Sequence, residues 1–368
     1  MRAFGGLLAR RIAALLAVAA LAGGPSAATE GASQGPWQRL EPGPPTRCAD
    51  GSAYRFFARQ GDPARLLIHF QGGGACWTGE HCDPHLDPTY KMRVAQDEPA
   101  RYGGIFDFAN PENPFREHSV VLVPYCSGDV HLGDRQTRYR APARPGHPPH
   151  GLAIAHRGGP NAATVLAWIR RKMPAPERIF VSGSSAGAIA SPYYAARLAT
   201  DFPEARVVQL ADAAGGYRWG EQASPPHTSW GALAWIARSP AFAGLQEDDF
   251  RFTDLFIRAA RRHPRLRLAA YDTAEDAVQR RFLRLAGQEP ASLLPWIHAN
   301  HVEIRAEVER FHTFLAAGDA HTVLGRPAFY TERADGVRLR DWVADLASGH
   351  DVPEVRCQRC GLPASHEP

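Results

Sequence analysis

Short, unbroken apolar runs recur along the chain, and each is followed by a turn rich in glycine or acid and then by apolar positions at helical spacing. Arg65 to Phe70 (RLLIHF) leads into Gln71-Gly72-Gly73-Gly74-Ala75-Cys76-Trp77, and Ser119 to Val123 (SVVLV) leads into Pro124-Tyr125-Cys126-Ser127-Gly128-Asp129. Continuous β-branched runs predict strands buried on both faces, as in a parallel sheet. Gly159 to Met173 carries Val165, Leu166, Trp168 and Ile169 at helical spacing, with Pro174 and Pro176 to end it. Ile179 to Val181 predicts a strand and the alanine-rich Ala188 to Leu198 a helix. Further strands are predicted at Arg206 to Leu210, Leu266 to Tyr271 and Phe311 to Ala316, and helices at Glu275 to Leu285, His298 to Arg310 and Leu339 to Ala347. Residues 29–47 predict an irregular lead-in, and 215–263 a mostly helical insertion capping the main domain. Strand–helix alternation over 29–368 implies a single α/β domain, its mostly parallel sheet covered by helices on both faces. Functional residues then belong on loops at the carboxyl ends of strands.

One of those loops carries nucleophile chemistry. Gly183-Ser184-Ser185-Ala186-Gly187 joins a strand to a helix, and G-x-S-x-G in that context is a strained turn that presents the middle serine at the tip of the sheet. A serine hydroxyl attacks only when a histidine takes its proton and a carboxylate orients that histidine. His321, in a turn directly after Phe311 to Ala316, is the candidate base; its rival His312 lies inside the strand, where the pleat fixes its direction. Asp272 and Asp276 both follow the strand Leu266 to Tyr271. Serine, then acid, then histidine is the chain order of the α/β-hydrolase fold. The oxyanion of such a reaction needs backbone donors, which Gly73, Gly74 and Ala186 can supply. The same glycines lack the Gly-Lys-Ser/Thr of a phosphate loop, since Ala-Cys-Trp follows them.

Composition narrows the setting. Arg2, Arg10 and Arg11 precede the apolar run Ile12 to Leu21 and small residues ending at Ser26 and Ala28, so residues 1–28 read as a cleavable signal peptide and the protein as secreted or periplasmic. No cysteine follows that leader to carry a lipid, and the apolar run is shorter than a membrane span, so no membrane anchor is expected. The formal charge of +4 owes three units to the leader arginines, so nothing asks for a nucleic-acid partner, and a monomer is expected. Six cysteines in an exported chain suggest disulfides. Of the 15 connectivities, which sequence alone does not decide, Cys76 and Cys82 are close enough for a local staple and Cys357 and Cys360 for a small ring, which would leave Cys48 with Cys126. His298-Ala-Asn-His301 and His81-Cys82 with His85 gather ligand types but lack the His-Glu spacing of a zinc-protease helix, so no metal or other cofactor is expected.

FQGGGACW, ENPF followed by VPYCSGD, SGSSAGA, YDTAEDAVQ and GDAHTVL together resemble the pectin acetylesterase and Notum family of secreted carboxylesterases, in its bacterial branch. The similarity runs from Cys48-Ala-Asp-Gly-Ser52 to the C-terminal helix. It implies an α/β-hydrolase fold and metal-free ester hydrolysis by a serine triad. Some members act on acetyl groups of plant pectin, and another on a fatty acyl group of a signalling protein. Carried across, the nucleophile is Ser185, the base His321, and the oxyanion donors Gly73, Gly74 and Ala186. The family's acid is followed three positions later by glutamine, as in Asp276-Ala-Val-Gln279, which selects Asp276 and leaves Asp272 as the expected N-cap of the helix Glu275 to Leu285. Tryptophan often follows the glycines in relatives, where Gly74-Ala75 stands here. The expected activity is hydrolysis of acyl esters, above all acetyl, on a carbohydrate or similar polar alcohol. A serine peptidase would share the triad, whereas an inactive carbohydrate-binding relative would have no need to retain serine, histidine and acid together.

Overall fold

The computed structural model describes residues 35–218, 227–246 and 250–361; the expected signal peptide and Trp219 of the insertion lie outside them. In chain order the strands are β1 (Gln38–Leu40), β2 (Phe56–Arg59), β3 (Asp62–Phe70), β4 (His118–Val123), β5 (Arg135–Ala141), β6 (His150–His156), β7 (Arg178–Ser184), β8 (Arg206–Asp212), β9 (Arg267–Thr273), β10 (Phe311–Ala316), β11 (Arg333–Ala334), β12 (Val337–Arg338) and β13 (Val355–Arg356). The helices are α1 (Gly79–Cys82), α2 (Gly158–Lys172), α3 (Ala186–Asp201), α4 (His227–Trp230), α5 (Ala232–Ile236), α6 (Phe252–Arg262), α7 (Ala277–Leu285), α8 (Leu294–Glu307) and α9 (Leu339–Ser348).

Nine strands form one sheet in the order β1-β2-β4-β3-β7-β8-β9-β10-β13. β1 and β2 run antiparallel to their neighbours, and every pairing from β4 to β13 is parallel. The apolar runs are continuous because alternate residues serve opposite faces. Leu66, Ile68, Phe70, Val121, Val123, Ile179 and Val181 pack on the side of α2, α3 and α6, whereas Leu67, Val120, Leu122 and Phe180 pack on the side of α9.

Several elements differ from the sequence expectation. The lead-in contains β1, paired with β2 at the sheet edge. β5 and β6 form a separate antiparallel hairpin, which the sequence reading missed because β5 alternates exposed and half-buried residues rather than carrying an apolar run. α8 begins at Leu294, ahead of the expected His298, because Pro295 sits in its first turn, where a missing N–H costs nothing. α3 carries Pro192 in its interior; the Ala188 carbonyl four residues back accepts instead from Ser191 Oγ at 2.9 Å. Three disulfides join Cys48–Cys126, Cys76–Cys82 and Cys357–Cys360. Among the described residues no helix is long and apolar enough to cross a membrane.

Candidate active site

Ser185 stands between β7 and α3 with φ 55° and ψ −117°, a conformation L-residues rarely adopt. The turn is closed by the Ser185 N–H donating to the Asp212 carbonyl at 2.8 Å on β8. Gly187 admits this geometry, because a Cβ there would collide with the Phe70 carbonyl at the end of β3. Ser185 is 8% exposed, at the rim of a cleft rather than on open surface.

The loop after β3 faces it. Gly74 has φ 74° and pairs with Tyr90 as an isolated antiparallel bridge, carried by Lys91 N–H to the Gly73 carbonyl (2.8 Å) and Ala75 N–H to the Thr89 carbonyl (3.3 Å). That pattern leaves the Gly74 N–H outside the bridge. The loop's base is pinned from below: His131 Nε2 is 2.8 Å from the Gln71 carbonyl, and the Tyr125 N–H donates to Gln71 Oε1 at 3.1 Å. Burial pushes the His131 imidazole down to about 4, so at neutral pH it is uncharged and its Nε2–H is the donor. Ala186 is the first residue of α3, and its N–H belongs to the orphan donors of a helix start.

His321 follows β10, as the sequence reading expects, and its Nδ1 lies 2.7 Å from Asp276 Oδ2. Asp276 is fully buried. Its Oδ1 accepts from Val278 N–H and Gln279 N–H, both at 2.9 Å, so this residue caps α7. The expected assignment of the cap to Asp272 is therefore corrected. α7 starts two residues later than the sequence reading had it, and Asp272 lies within β9. There it accepts from Gly215 N–H (2.7 Å) and Gln279 Nε2 (3.1 Å) and faces His301 Nε2 at 3.4 Å. Gln279 Nε2 also donates to Asp276 Oδ2 at 3.1 Å, so one buried amide bridges both carboxylates. His312 points elsewhere: it lies in β10 and is lowered by burial, with Arg267 adding to the effect.

Ser185, His321, Gly72, Gly73 and Gly74 line one cleft, together with Gln71, Tyr102, Thr322 and Arg326. On the other side of Ser185 and Ala186 lies an almost wholly apolar pocket, walled by Trp77, Ile189, Trp230, Phe252, Leu255 and Phe282. Trp230, Phe252 and Leu255 among them fall in segment 215–263, the expected insertion. Trp230 is held in place by its indole N–H donating to the Cys76 carbonyl at 2.7 Å, next to the Cys76–Cys82 disulfide. The sequence reading named neither Phe252 nor Phe282 for this wall, and Trp77 only as the residue closing the glycine run.

Comparison with known proteins adds the lineage. The pectinacetylesterase family model matches residues 43–228. The chain belongs to that family. It is 33% identical over 90 residues to human palmitoleoyl-protein carboxylesterase NOTUM, covering 23% of this chain and 18% of that protein. It is 27% identical over 144 residues to notum2 of Xenopus laevis, a palmitoleoyl-protein carboxylesterase, covering 38% of this chain and 27% of that one. The chain thus spans about a fifth to a quarter of the length of these curated relatives. The Wnt deacylase Notum from Drosophila superposes with a TM-score of 0.59 over 88% of this chain and 96% of that one, at 17% identity. The fold is that of the α/β-hydrolases.

Proposed function

We propose that this pectinacetylesterase relative is an exported serine carboxylesterase in which Ser185 is the nucleophile, His321 the general base, Asp276 its orienting acid, and the N–H groups of Gly73, Gly74 and Ala186 the oxyanion donors. The observation that carries the reading is the 2.7 Å contact of His321 Nδ1 with the buried Asp276 carboxylate, an acceptor that requires the proton on Nδ1. With Nδ1–H donated to Asp276 Oδ2, the lone pair is on Nε2, in the same cleft as the strained Ser185. In acylation Nε2 takes the Ser185 Oγ proton as Oγ attacks the ester carbonyl, and the carbonyl oxygen becomes an oxyanion. Collapse of the tetrahedral intermediate expels the alcohol, which receives that proton from the imidazolium. Water repeats the sequence on the acyl-enzyme, releasing the acid. Three disulfides support action outside the reducing cytosol.

The two sides of Ser185 differ in chemistry, which supports a division of the ester's halves between them. Gln71, Tyr102, Thr322 and Arg326 suit a hydroxyl-bearing alcohol such as a sugar. The pocket of Trp77, Trp230, Phe252, Leu255 and Phe282 has far more apolar wall than one methyl group can touch, which favours an acyl chain of several carbons over the acetyl group expected from sequence. The insertion that supplies Trp230, Phe252 and Leu255 acts as a cap over the acyl side. Each buried methylene adds about 0.8 kcal/mol, or roughly fourfold in kcat/KM. Purified protein assayed on p-nitrophenyl acetate, butyrate, hexanoate and octanoate should show that rise, and Ser185→Ala should lose activity by about a million-fold. Acetate turning over faster than hexanoate would exclude the longer acyl group, and a tenth of the activity surviving in Ser185→Ala would exclude the nucleophile.

A further inference from the structure

Asp212, the last residue of β8, is a fully buried carboxylate that the catalytic reading above does not use. Among the described residues no arginine or lysine pairs with it; its oxygens are satisfied by four donors from two different segments. Ser184 Oγ–H donates to Oδ2 at 2.5 Å, from the residue directly before the nucleophile. The Val323 N–H lies 3.0 Å from Oδ1 and 3.2 Å from Oδ2, and the Leu324 N–H donates to Oδ2 at 3.1 Å, from the segment directly after His321. The fourth donor is the Ser185 N–H, which reaches the Asp212 main-chain carbonyl at 2.8 Å. One residue thus ties the nucleophile's turn to the base's loop, with Oδ2 accepting from both.

The backbone around it is strained at each of those joints. Ser185 has φ 55°, Thr322 φ 58° and Ala213 φ 68°, all non-glycine and all adjacent to a residue in this network or part of it. Positive φ is costly at such residues and persists only where the surroundings over-determine it. Thr322 is β-branched, for which the conformation is a real outlier. It connects His321 to Val323, whose N–H is one of those Asp212 accepts. The Ser184 and Asp212 residues are also register partners in the parallel pairing of β7 with β8, so the carboxylate is delivered by the sheet rather than by a mobile loop.

We propose that Asp212 is a positioning residue for the hydrolysis: it locks the Ser185 turn and the His321 loop to each other, setting the approach of base to nucleophile. The inference rests on the esterase reading. The titratable groups facing this carboxylate are His321, on the loop after β10, and the buried Tyr271 phenol, its register partner on β9; β7 contributes only the Ser184 hydroxyl. Burial raises the Asp212 carboxyl to about 6, and its negative charge acts favourably on the His321 imidazolium.

Asp212→Asn keeps the volume, removes the charge and leaves one acceptor fewer for three donors. Wild type, Asp212→Asn, Asp212→Glu and Ser185→Ala are compared by steady-state kinetics on p-nitrophenyl butyrate from pH 4.5 to 9 and by labelling with a fluorophosphonate, with melting temperatures recorded alongside. Displacing reacting groups by about 1 Å costs roughly 100-fold, so Asp212→Asn should lose about 100-fold in kcat with KM within about threefold. Asp212→Glu should not restore kcat, since a longer arm cannot meet all the donors. Wild-type kcat in Asp212→Asn, or a loss accounted for wholly by a smaller fraction of sites labelled by the fluorophosphonate, overturns the inference while leaving the esterase standing. A wild type that neither turns over ester nor labels at Ser185 overturns the esterase reading, and this inference with it. If Asp212→Asn does not fold, Ser184→Ala decides: it removes one of the four ties, and a kcat lowered by about tenfold at constant KM supports the lock, whereas an unchanged kcat refutes it.

Discussion

Asp276→Asn separates two functions that one side chain performs through different oxygens. Oδ1 accepts the first free N–H groups of α7, from Val278 and Gln279, while Oδ2 accepts from His321 Nδ1 and Gln279 Nε2. Asparagine caps helices about as well as aspartate, so its Oδ1 can keep the cap, and the cap's worth of about 1 kcal/mol is retained. The amide nitrogen then stands where Oδ2 stood, a donor facing two donors. His321 must flip its tautomer to present a lone pair at Nδ1, which places a proton on Nε2 and disables it as a base; the expected loss is about 10,000-fold in kcat. The Gln279 amide loses one of its two acceptors in a fully buried position, costing about 1–3 kcal/mol. The variant should therefore melt lower by a few degrees yet remain folded, with turnover nearly abolished. Asp276→Ala should cost a further 1 kcal/mol or so for the lost cap at the same activity. Asp272→Asn is the control: it weakens the contacts to Gly215 and His301 but leaves the 2.7 Å bond to His321 intact, so stability should fall and most turnover survive. Ester kinetics and urea unfolding on the three variants measure both quantities. A catalytic collapse in Asp272→Asn with Asp276→Asn active would refute the assignment of the acid.

Two further outcomes concern the whole fold. The Cys48–Cys126 bridge closes a sequence separation of 78 and Cys357–Cys360 one of 3, so on a chain-entropy basis their removal should cost about 4–5 and about 2 kcal/mol respectively, read as urea midpoints of paired Cys→Ala variants; equal costs would argue against that basis. Burial lowers His69 to about 3 and His118, His131 and His156 to about 4, from an ordinary 6.5. These rings are held neutral in the fold, so their contribution is present above pH 6.5 and is lost as pH falls towards 4. Asp129 and Asp212, raised by burial to about 6 from 3.8, act oppositely and favour the fold as pH falls through 6. Four larger shifts outweigh two smaller ones, so unfolding midpoints should drop between pH 7 and pH 4.5; a midpoint that holds or rises would refute the balance.

The parallel strands were legible because each is buried on two faces and so carries an unbroken apolar run: β3, β4, β7, β8, β9 and β10 all stood out this way. β2 escaped because its buried run is only four residues long, and the other elements that escaped draw their stability from partners rather than from their own pattern. β1 and β13 have three and two residues and exist as edges of an existing sheet. The β5–β6 hairpin is held by pairing along seven positions while much of its surface stays wet. Ser185 and His321 were legible for a different reason: glycine spacing and chain order are written locally. The apolar wall beside Ser185 was not, because Trp77, Trp230, Phe252 and Phe282 come from distant segments, and only the fold decides which aromatic residues face a cleft.

The proposed acid was the hardest case, and the geometry around Asp276 explains why. The sequence reading divided two roles between two aspartates, treating helix capping and orientation of the base as alternatives. A carboxylate has two oxygens, and at a helix start they can point different ways. At Asp276 one oxygen is fixed by the N–H groups of α7, which aims the other at His321 without need of a second anchor. The glutamine three residues on is part of the same device, because residue N3 of a helix sits beside its cap. Gln279 donates its backbone N–H to Oδ1 and its side-chain amide to Oδ2, and reaches back to Asp272 with its remaining hydrogen. The spacing that singled out Asp276 in the sequence is therefore the spacing of a helix's first turn. It marks the proposed acid because capping holds that carboxylate rigid, the property that orienting His321 as a base would require.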